Sequence, residues 1–353
     1  MRILVVQTAF IGDQVLTTPL LRELRRLHPS ARIVAVTTKA GAELFAPLPW
    51  LDAIRVHRKR PSLPALVQAV RLGRSLAAER FDVAVVAHRS HRSALIARLA
   101  APLRRIGFAE ASGRWCYTER VPYERRRHAT ERYLALADPL GGAARDADRV
   151  PRLTLTRRAV QRTDALLRSA RVERGQPLLC LAPGSVWPTK RWGAGGFASV
   201  ARAAKERGLR PLLLGSSADA ELCAEVAALA GEDTVTLAGR TRVDELVALL
   251  ARAVALVGND SGPAHIAAAV GTPTVTVFGA TVPALGYAPL GSAGRIVENV
   301  ALGCRPCGRH GGRACPLGHF RCMVEIPPAR VLRALDELLD RATLQRPALL
   351  RPG

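Results

Sequence analysis

The segment Ala253–Ile266, AVALVGNDSGPAHI, decides the fold, because it has the pattern of a strand, a tight loop and a helix. Ala253–Val257 is an apolar run with the length of a buried strand, and Gly258 and Gly262 allow the chain to turn sharply. Pro263 suits the start of a helix, where its missing N–H would be unpaired in any case. The loop therefore directs N–H groups and a helix dipole at one spot, which favours phosphate binding.

Asp260 lies in the same loop and has two interpretations. A bound diphosphate would repel its carboxylate, so as a ligand-binding group it is better suited to accept hydrogen bonds from sugar hydroxyls. Alternatively, Asp260 or Ser261 only caps the helix that follows. The loop by itself leaves both interpretations open.

The 353 residues are enough for two domains that each bury a core. Short apolar strands alternate with helical stretches rich in Ala, Leu and Arg, which predicts an α/β fold with parallel sheets. We place an N-terminal domain at residues 1–150 and a C-terminal domain at residues 151–330, with Gly141–Arg152 as the linker. Residues 331–353 are then a terminal helix and a loose tail.

The net charge of +23 and the pI of about 11.3 are compatible with a nucleic acid, an anionic membrane surface or an acidic substrate as partner. Part of the charge is explained by an Arg- and Ala-rich composition, since both residues are abundant throughout the chain. The basic residues show no RNA-binding signature. Ile3–Val6 is too short for the apolar part of a signal peptide, and no apolar run approaches the roughly 20 residues that span a bilayer. With seven cysteines, we expect a cytoplasmic protein with reduced thiols.

The first βαβ unit places a carboxylate at the edge of a sheet. Arg2–Val6 is predicted as a strand, Gln14–His28 as a helix and Ala31–Thr37 as the second strand. Gly12 and Asp13 then lie at the carboxyl end of the first strand, where open α/β sheets bind ligands. Asp13 is either the N-cap of the helix or a general base that takes a proton from an attacking hydroxyl.

Two later segments of this domain carry dense positive charge. Asp82–Ala87 is predicted as a strand, and Arg89 and Arg92 follow it within His88–Ser93. The two arginines indicate either an anion-binding edge or a solvated surface. Arg125–Arg127 opens a predicted helix that extends to Leu140, and a charge run at that place is usually exposed.

Two further segments are not assigned a function. Arg58–Pro61 is predicted to be a charged loop. Asp146-Ala147-Asp148 matches the D-x-D pattern with which many sugar-nucleotide enzymes hold a divalent metal ion. No apolar strand leads into it, so we attribute the match to chance.

In the second domain, the predicted strand Leu178–Ala182 is followed by the glycine turn Pro183–Ser185 and by Lys190. A glycine turn with a lysine near the edge of a sheet forms a phosphate cradle, in which the lysine acts as a point charge. Asp219 and Glu221 begin a later helix, where acidic residues are favoured in any protein. The other predicted elements are the helices Phe197–Arg207 and Val243–Arg252 and the strands Arg210–Leu214, Thr234–Leu237 and Thr274–Phe278.

Four of the seven cysteines lie in one segment with the spacing Cys304-x2-Cys307-x7-Cys315-x6-Cys322. This spacing is compatible with a tetrahedral zinc ion, and free thiols in a loosely packed loop are the alternative. Four thiolates leave no open position on zinc, so a bound metal would have a structural role.

Four segments together resemble the heptosyltransferase family, the ADP-heptose:lipopolysaccharide glycosyltransferases. In family order they are MRILVVQTAFIGDQVLTTPLLRELRR (1–26), APGSVWPTKRW (182–192), GNDSGPAHIAAAVGTPTVTVFG (258–279) and the cysteine-rich CRPC…CPLGHFRCMVEIPPARV (304–331). They extend over nearly the whole chain, and their combination is specific. Phe10 departs from the family, whose members often have a small hydroxyl residue there.

The resemblance implies a GT-B fold, with two Rossmann-like domains that face each other across a cleft. The N-terminal domain would bind the acceptor, a lipid-linked saccharide, and the C-terminal domain the ADP-heptose donor. It also implies an inverting transfer, with Asp13 as the base that activates the acceptor hydroxyl. No cofactor is then required for catalysis, because a lysine and a helix dipole can stabilise the leaving diphosphate.

The resemblance also assigns the donor contacts. Lys190 would neutralise the diphosphate with help from Thr189. Glu221 would bind the adenosine ribose, with Asp219 as a competing alignment. The remaining donor contacts are Gly12, Asp260, Ser261, Gly262 and His265.

The acceptor would be an acidic, phosphorylated glycolipid at the inner leaflet, which the positively charged protein would attract. We therefore expect a cytoplasmic enzyme that associates peripherally with the inner membrane and has no nucleic-acid partner. Arg89, Arg92 and Arg125–Arg127 are candidates for binding the carboxylates and phosphates of the acceptor.

Three alternatives remain at this point. A glycosyltransferase could use another nucleotide sugar or acceptor. A sugar-nucleotide epimerase or a phosphorylase could share the architecture, although we assign neither the extra acid/base groups nor the phosphate or pyridoxal site that they need. A non-catalytic nucleic-acid binder would show salt-dependent retention on DNA or RNA. The sequence contains no G-x-G-x-x-G, Walker A, G-x-S-x-G or H-E-x-x-H motif, which removes the simplest dehydrogenase, ATPase, esterase and metalloprotease hypotheses.

Overall fold

The computed structural model describes residues 1–57, 64–100, 103–143, 147–291 and 293–345, without the side chains of 341–345. The charged loop after residue 57, Asp146 of the D-x-D match and the last residues of the predicted tail lie outside this description. The chain forms two compact units, Met1–Thr154 and Leu155–Gly353. Each unit is built on a six-stranded parallel sheet, so the predicted α/β fold with parallel sheets is confirmed.

The first unit has the sheet order β3-β2-β1-β4-β5-β6. Its strands are β1 (Arg2–Val6), β2 (Arg32–Thr37), β3 (Ala53–Val56), β4 (Val83–Val86), β5 (Arg104–Phe108) and β6 (Glu119–Val121). Its helices are α1 (Ile11–Leu27), α2 (Lys39–Phe45), α3 (Ala65–Ala77), α4 (His91–Leu99) and α5 (Ala129–Leu134).

The second unit has the sheet order β12-β11-β10-β7-β8-β9. Its strands are β7 (Leu178–Ala182), β8 (Arg210–Leu213), β9 (Val235–Thr236), β10 (Ala255–Asn259), β11 (Thr274–Phe278) and β12 (Gly294–Glu298). Its helices are α6 (Arg157–Ser169), α7 (Ala194–Glu206), α8 (Ala220–Ala230), α9 (Val243–Arg252), α10 (Gly262–Ala269), α11 (Arg321–Val324) and α12 (Pro328–Gln345).

Both units have the doubly wound order of a Rossmann sheet. The first strand of each unit is central, and the direction of winding reverses between β1 and β4 and between β7 and β10. Loops after the two strands at such a switch point leave in opposite directions, and ligands bind in the crevice between them. The topology therefore selects one crevice in each unit as a candidate binding site.

Helix α1 begins earlier than the sequence predicts. It starts at Ile11 instead of Gln14, because the loop after β1 comprises only Gln7–Phe10. Phe10 occupies the N-cap position, although its side chain has no hydrogen-bond acceptor. Asp13 is the third helical residue, so its interpretation as the N-cap is wrong.

The strand of the opening segment is shifted by two residues from the prediction. It includes Gly258 and Asn259, so Gly258 lies within β10 and not in a turn. A Cβ atom at Gly258 would lie 3.2 Å from the Cβ atom of Ala182 in the paired strand β7. Glycine at this position permits close packing of the strands. Gly271, with φ +84°, adopts the left-handed conformation just after α10.

The helix predicted from Arg125 to Leu140 is shorter than expected. Helix α5 ends at Leu134, and the chain continues as a 3₁₀ helix over Ala135–Leu140. That segment contains Pro139, which lacks the N–H group that an α-helix needs. The described residues contain four strands and four helices that were not predicted: β3, β5, β6, β12, α2, α4, α6 and α11. The bounds of β1, β7, α9 and β11 match the prediction.

The core of the second unit is continuous from the sheet to the helices on its faces. Leu181 and Val257 of the central strands, Phe197 of α7 and Leu335 of α12 belong to one cluster and are fully buried. Of the helices in the described ranges, none has the length and apolar character needed to cross a membrane.

Replacement of Phe197 by Ala should lower the free energy of unfolding by about 3–5 kcal/mol, because it leaves a cavity in a close-packed core. Urea denaturation followed by circular dichroism measures the change. Leu229→Ala is the control, since Leu229 is half exposed, and it should change the free energy by no more than about 0.5 kcal/mol. Equal losses in the two variants would contradict the assignment of Phe197 to the core.

Candidate functional site

The buried amide of Asn259 joins the two loops at the switch point of the second unit. Asn259 is the last residue of β10 and is fully buried. Its Nδ2 donates to the carbonyl of Pro183, 2.7 Å away, and its Oδ1 accepts from the backbone N–H of Trp192 at 3.0 Å. The loop after β7 and the segment that carries Lys190 are therefore held against β10. Sequence reasoning missed this residue because it placed Asn259 in the turn.

Lys190 and Asp260 form a buried ion pair at this crevice. Lys190 Nζ lies 2.6 Å from Asp260 Oδ2, and the two side chains are only 13% and 6% exposed. Thr281 Oγ1 donates to the same carboxylate oxygen at 2.7 Å. The structure thus brings together the cation predicted to bind diphosphate and the carboxylate predicted to bind sugar. Thr281 was not predicted, since an isolated threonine has no sequence signal.

Helix α10 begins beside this pair, with Ser261 at the N-cap position and Gly262 and Pro263 in the first turn. The Ser261 hydroxyl donates to the carbonyl of Asn259 at 3.3 Å, and the Asp260 carboxylate is engaged by Lys190 and Thr281. The interpretation of Asp260 or Ser261 as a side-chain cap is therefore wrong. The positive end of the helix dipole still favours an anion at this place.

His265 follows within the same helix and is 6% exposed. Ser261, Gly262 and Pro263 at the start of the helix are half-buried and thus more accessible than His265. The predicted group of Asp260, Ser261, Gly262 and His265 is therefore contiguous around one helix end.

Thr189 connects the crevice to the cysteine-rich segment. Its hydroxyl donates to the carbonyl of Gly312 at 2.9 Å and accepts from the N–H of Gly312 at 2.7 Å. Gly311, with φ +79°, packs so closely that a Cβ atom there would lie 2.9 Å from Thr189 Oγ1 and 3.0 Å from Lys190 Cγ. A phosphate could reach the Thr189 hydroxyl only by displacing Gly312, so the contact holds the segment beside Lys190.

Arg305 anchors the other end of the same segment. Its side chain is 3% exposed and forms an ion pair with Glu298 at 2.8 Å. It also donates to the carbonyls of Thr281 at 2.8 Å and Asn299 at 2.7 Å. Arg305 thus supports the backbone of the threonine that binds Asp260. Its position between two cysteines gave no sign of this role in the sequence.

The two acidic candidates near α8 differ in their contacts. Asp219 accepts hydrogen bonds from the backbone N–H of Ser216 at 2.9 Å and from its hydroxyl at 2.7 Å. It also lies 3.9 Å from the guanidinium of Arg191. Glu221 is exposed in the first turn of α8. Glu221 is therefore the more accessible of the two carboxylates.

The four clustered cysteines do not form a metal site in the described part of the chain, where no group of three or more His, Cys, Asp or Glu side chains could hold an ion. Backbone N–H groups, first that of Phe320, donate to Cys315 and lower the pKa of its thiol. Burial instead raises the pKa of Cys322 and of Cys307. Cys304 is half-buried. The thiols as arranged do not fit the predicted zinc ion.

Asp13 lies at the crevice of the first unit, in the first turn of α1. Tyr133 of α5 donates its hydroxyl to Asp13 Oδ1 at a distance of 2.8 Å. Across the same crevice, Thr8 Oγ1 lies 3.0 Å from both His88 Nδ1 and Ser93 Oγ. Gly12 is half-buried beside the carboxylate. Tyr133 is 120 residues from Asp13, so sequence spacing could not indicate the contact.

Arg89 stacks on an aromatic cluster of the same unit. Its guanidinium carbon lies 4.0 Å from the ring centroid of Tyr123, and that of Arg132 lies 4.7 Å from the same centroid. Phe108 packs edge-on against Tyr123, with a distance of 5.0 Å between the ring centroids. Its ring centroid lies 6.4 Å from that of Tyr133. Stacked guanidinium groups of this kind suit the binding of carboxylates and phosphates.

The other predicted arginines have different surroundings. Arg92 is half-buried in the first turn of α4. Arg125 and Arg126 are exposed, and Arg127 pairs with Glu124 at 2.7 Å. The structure therefore embeds Arg89 in a fixed cluster and leaves Arg125 and Arg126 on the surface.

A family model described as glycosyltransferase family 9 (heptosyltransferase) matches residues 69–317, which is well over half of the chain. The chain belongs to this family. The lipopolysaccharide heptosyltransferase 2 of Salmonella typhimurium is 30% identical to it, over 96% of this chain and 99% of that protein. The lipooligosaccharide heptosyltransferase 2 of Haemophilus influenzae is 28% identical, over 97% of this chain and 100% of that protein.

The structure of the ADP-heptose lipopolysaccharide heptosyltransferase II of Escherichia coli is similar to this family 9 member. It is 26% identical and superposes with a TM-score of 0.81, over 97% of this chain and 100% of that chain. The pair of Rossmann-like units is thus the GT-B type of fold, as the resemblance implied. The chain is a glycosyltransferase, which answers the question of enzyme class that the sequence left open.

Replacement of Arg305 by Met should lower the free energy of unfolding by about 3 kcal/mol, because it leaves Glu298 and several carbonyls without their buried partner. Denaturant titration of this glycosyltransferase measures the loss. Arg295→Met is the control, since Arg295 pairs with Glu337 at the surface and should contribute no more than about 1 kcal/mol. A loss for Arg305 as small as that for Arg295 would refute its anchoring role.

Proposed function

We propose that this glycosyltransferase transfers a heptose from ADP-heptose to the inner core of lipopolysaccharide, with inversion at the sugar carbon. The observation that carries the proposal is the buried Lys190–Asp260 pair beside the start of α10, at the switch point of the second unit. The similar lipopolysaccharide and lipooligosaccharide heptosyltransferases support the choice of sugar and acceptor.

In this proposal the second unit holds the donor. The diphosphate competes with Asp260 for Lys190, since a doubly charged ligand offers the ammonium group more Coulomb energy than one carboxylate does. The N–H groups at the first turn of α10, around Ser261 and Gly262, bind the same anion. Asp260 then accepts hydrogen bonds from heptose hydroxyls, and Glu221 from those of the ribose. Thr189 acts indirectly, by holding the cysteine-rich segment beside Lys190.

Asp13 is the proposed general base. Its carboxylate takes the proton of the acceptor hydroxyl while that oxygen forms a bond to the anomeric carbon of the heptose. The bond from this carbon to the phosphate oxygen breaks on the opposite face, and ADP leaves with the electron pair. Lys190 and the α10 dipole stabilise the developing charge. Gly12, which precedes the base in the chain, is also a proposed donor contact.

The first unit holds the acceptor in this proposal. Arg89 and Arg92 bind its carboxylate and phosphate groups, and the exposed Arg125 and Arg126 extend the positive surface. The net charge of +23 favours attraction to anionic lipids, so the enzyme acts in the cytoplasm at the inner leaflet of the membrane. A nucleic acid is not part of this scheme.

Binding of ADP should raise the melting temperature of the wild-type protein, and Lys190→Ala should abolish most of this rise because the diphosphate loses its cation. Thermal shift with ADP, UDP and GDP, followed by calorimetry, measures the selectivity and the affinity. Lys205→Ala is the control, since Lys205 lies on α7 and its ammonium group donates to the backbone carbonyls of Ala230 and Gly231. A stronger response to UDP or GDP would favour another donor, and salt-sensitive retention on DNA without any nucleotide response would contradict the proposal.

Asp13→Ala should reduce the rate of transfer about 10²–10⁴-fold and leave the affinity for ADP unchanged, because it removes the base but no donor contact. Mass spectrometry of the product formed from ADP-heptose and a truncated core acceptor measures the rate. Glu124→Ala, which removes an exposed carboxylate of the same unit, should retain full activity. Unimpaired transfer by Asp13→Ala would remove this carboxylate from the mechanism.

A further inference from the structure

We infer that Tyr133 is a positioning residue for the base: its hydroxyl holds the Asp13 carboxylate in the orientation that accepts the proton. The inference rests on the proposed role of Asp13. The Tyr133 hydroxyl lies 2.8 Å from Asp13 Oδ1, the distance of a well-formed hydrogen bond to a charged acceptor. Nothing in the spacing of the two residues along the chain suggests this contact.

The hydrogen bond is sheltered from water on the tyrosine side. Tyr133 is only 6% exposed, whereas Asp13 is half-buried in the first turn of α1. Helix α5, which carries Tyr133, packs against α1. A hydrogen bond in this setting is stronger than one at the surface, because its surroundings have a lower effective dielectric constant than water.

The position of Tyr133 is itself determined by local structure. Helix α5 begins with a capping box, in which the N–H of His128 donates to Glu131 at 3.1 Å and the N–H of Thr130 donates to His128 Nδ1 at 3.3 Å. Glu131 also forms an ion pair with Arg149. Both backbone and side-chain contacts thus hold the turn just before Tyr133. The backbone position from which the Tyr133 side chain extends is therefore well defined.

The ring of Tyr133 packs in the aromatic cluster that carries Arg89. The ring centroid of Phe108 lies 6.4 Å from that of Tyr133 and 5.0 Å from that of Tyr123. The guanidinium carbon of Arg89 lies 4.0 Å from the ring centroid of Tyr123. One aromatic cluster therefore includes the tyrosine that holds the base and carries a proposed acceptor arginine. Groups mounted on one rigid body keep their mutual geometry when the substrate binds.

Positioning by Tyr133 should affect the chemical step and not donor binding. A general base must lie within about 2.6–3.2 Å of the atom whose proton it takes. Without the phenol, the Asp13 side chain loses one of the contacts that fix its orientation, and a smaller fraction of its conformers meets this requirement. The turnover number should fall, whereas the KM for the donor should not change.

Tyr133→Phe should therefore lower kcat about 10- to 100-fold, as expected for the loss of a hydrogen bond to a charged group. The assay is run well below the melting temperature of each variant, and KM is measured for the donor. Tyr117→Phe is the matched control: Tyr117 is 5% exposed in the same unit, and its hydroxyl has no hydrogen-bond partner within the described residues. It should keep wild-type kcat.

A second comparison separates positioning from a general structural role. In single turnovers with enzyme in excess, Tyr133→Phe should cause no further loss in an Asp13→Ala background, because the inferred positioning role of the phenol requires the carboxylate. A loss of the same factor in both backgrounds would overturn the inference. Wild-type kcat in Tyr133→Phe, with Asp13→Ala impaired, would overturn it as well and leave the base in place. Full activity in Asp13→Ala would instead refute the proposed function on which the inference rests.

Discussion

The buried ion pair of Lys190 and Asp260 is the interaction on which the candidate donor site depends. Two charges that are nearly removed from water must be matched closely, because either one alone would be strongly destabilising. Thr281 supplies a further hydrogen bond to the carboxylate, and Arg305 supports the backbone of Thr281. In the proposed donor site, the same pair supplies a cation for the phosphates and a hydrogen-bond acceptor for the sugar hydroxyls. Ligand recognition and local stability would then use the same atoms.

The cysteine-rich segment packs beside Lys190 and is held there by contacts at two points. Thr189 binds it at Gly312, and Arg305 ties it to the ends of β11 and β12. A segment with little regular structure is therefore fixed at two points beside Lys190. The thiols do not need a metal ion to explain why it lies there. Its glycine at position 311 is required by the close approach to Thr189 and by a positive φ.

The strands and helices that have a regular apolar pattern, bounded by glycine or proline, were predictable because such a pattern lies within a few consecutive residues. The apolar runs of β7 and β11 and the helix α9 have the predicted bounds, and α10 begins in the glycine loop where a helix start was expected. The local pattern gave wrong bounds where tertiary packing determines the extent of an element. Gly258 lies in a strand because it meets Ala182 of a neighbouring strand, and α1 begins at Ile11 although Phe10 cannot cap it. Tyr133 and Thr281 were missed because their partners are 120 and 21 residues away. Arg305 was missed because a single arginine between two cysteines has no sequence signal.

The amino-acid sequence by itself determined the class of fold, the two-part organisation and the residue types of the sites, since alternation of strands and helices, glycine loops and isolated charges are recorded over a few consecutive residues. The tertiary structure decided which of these charges meet. It paired Lys190 with Asp260, placed the Tyr133 hydroxyl on Asp13 and buried Asn259 at the junction of two loops. Contacts of this kind depend on the register of parallel strands and on helix packing across a unit. No short stretch of sequence contains that information.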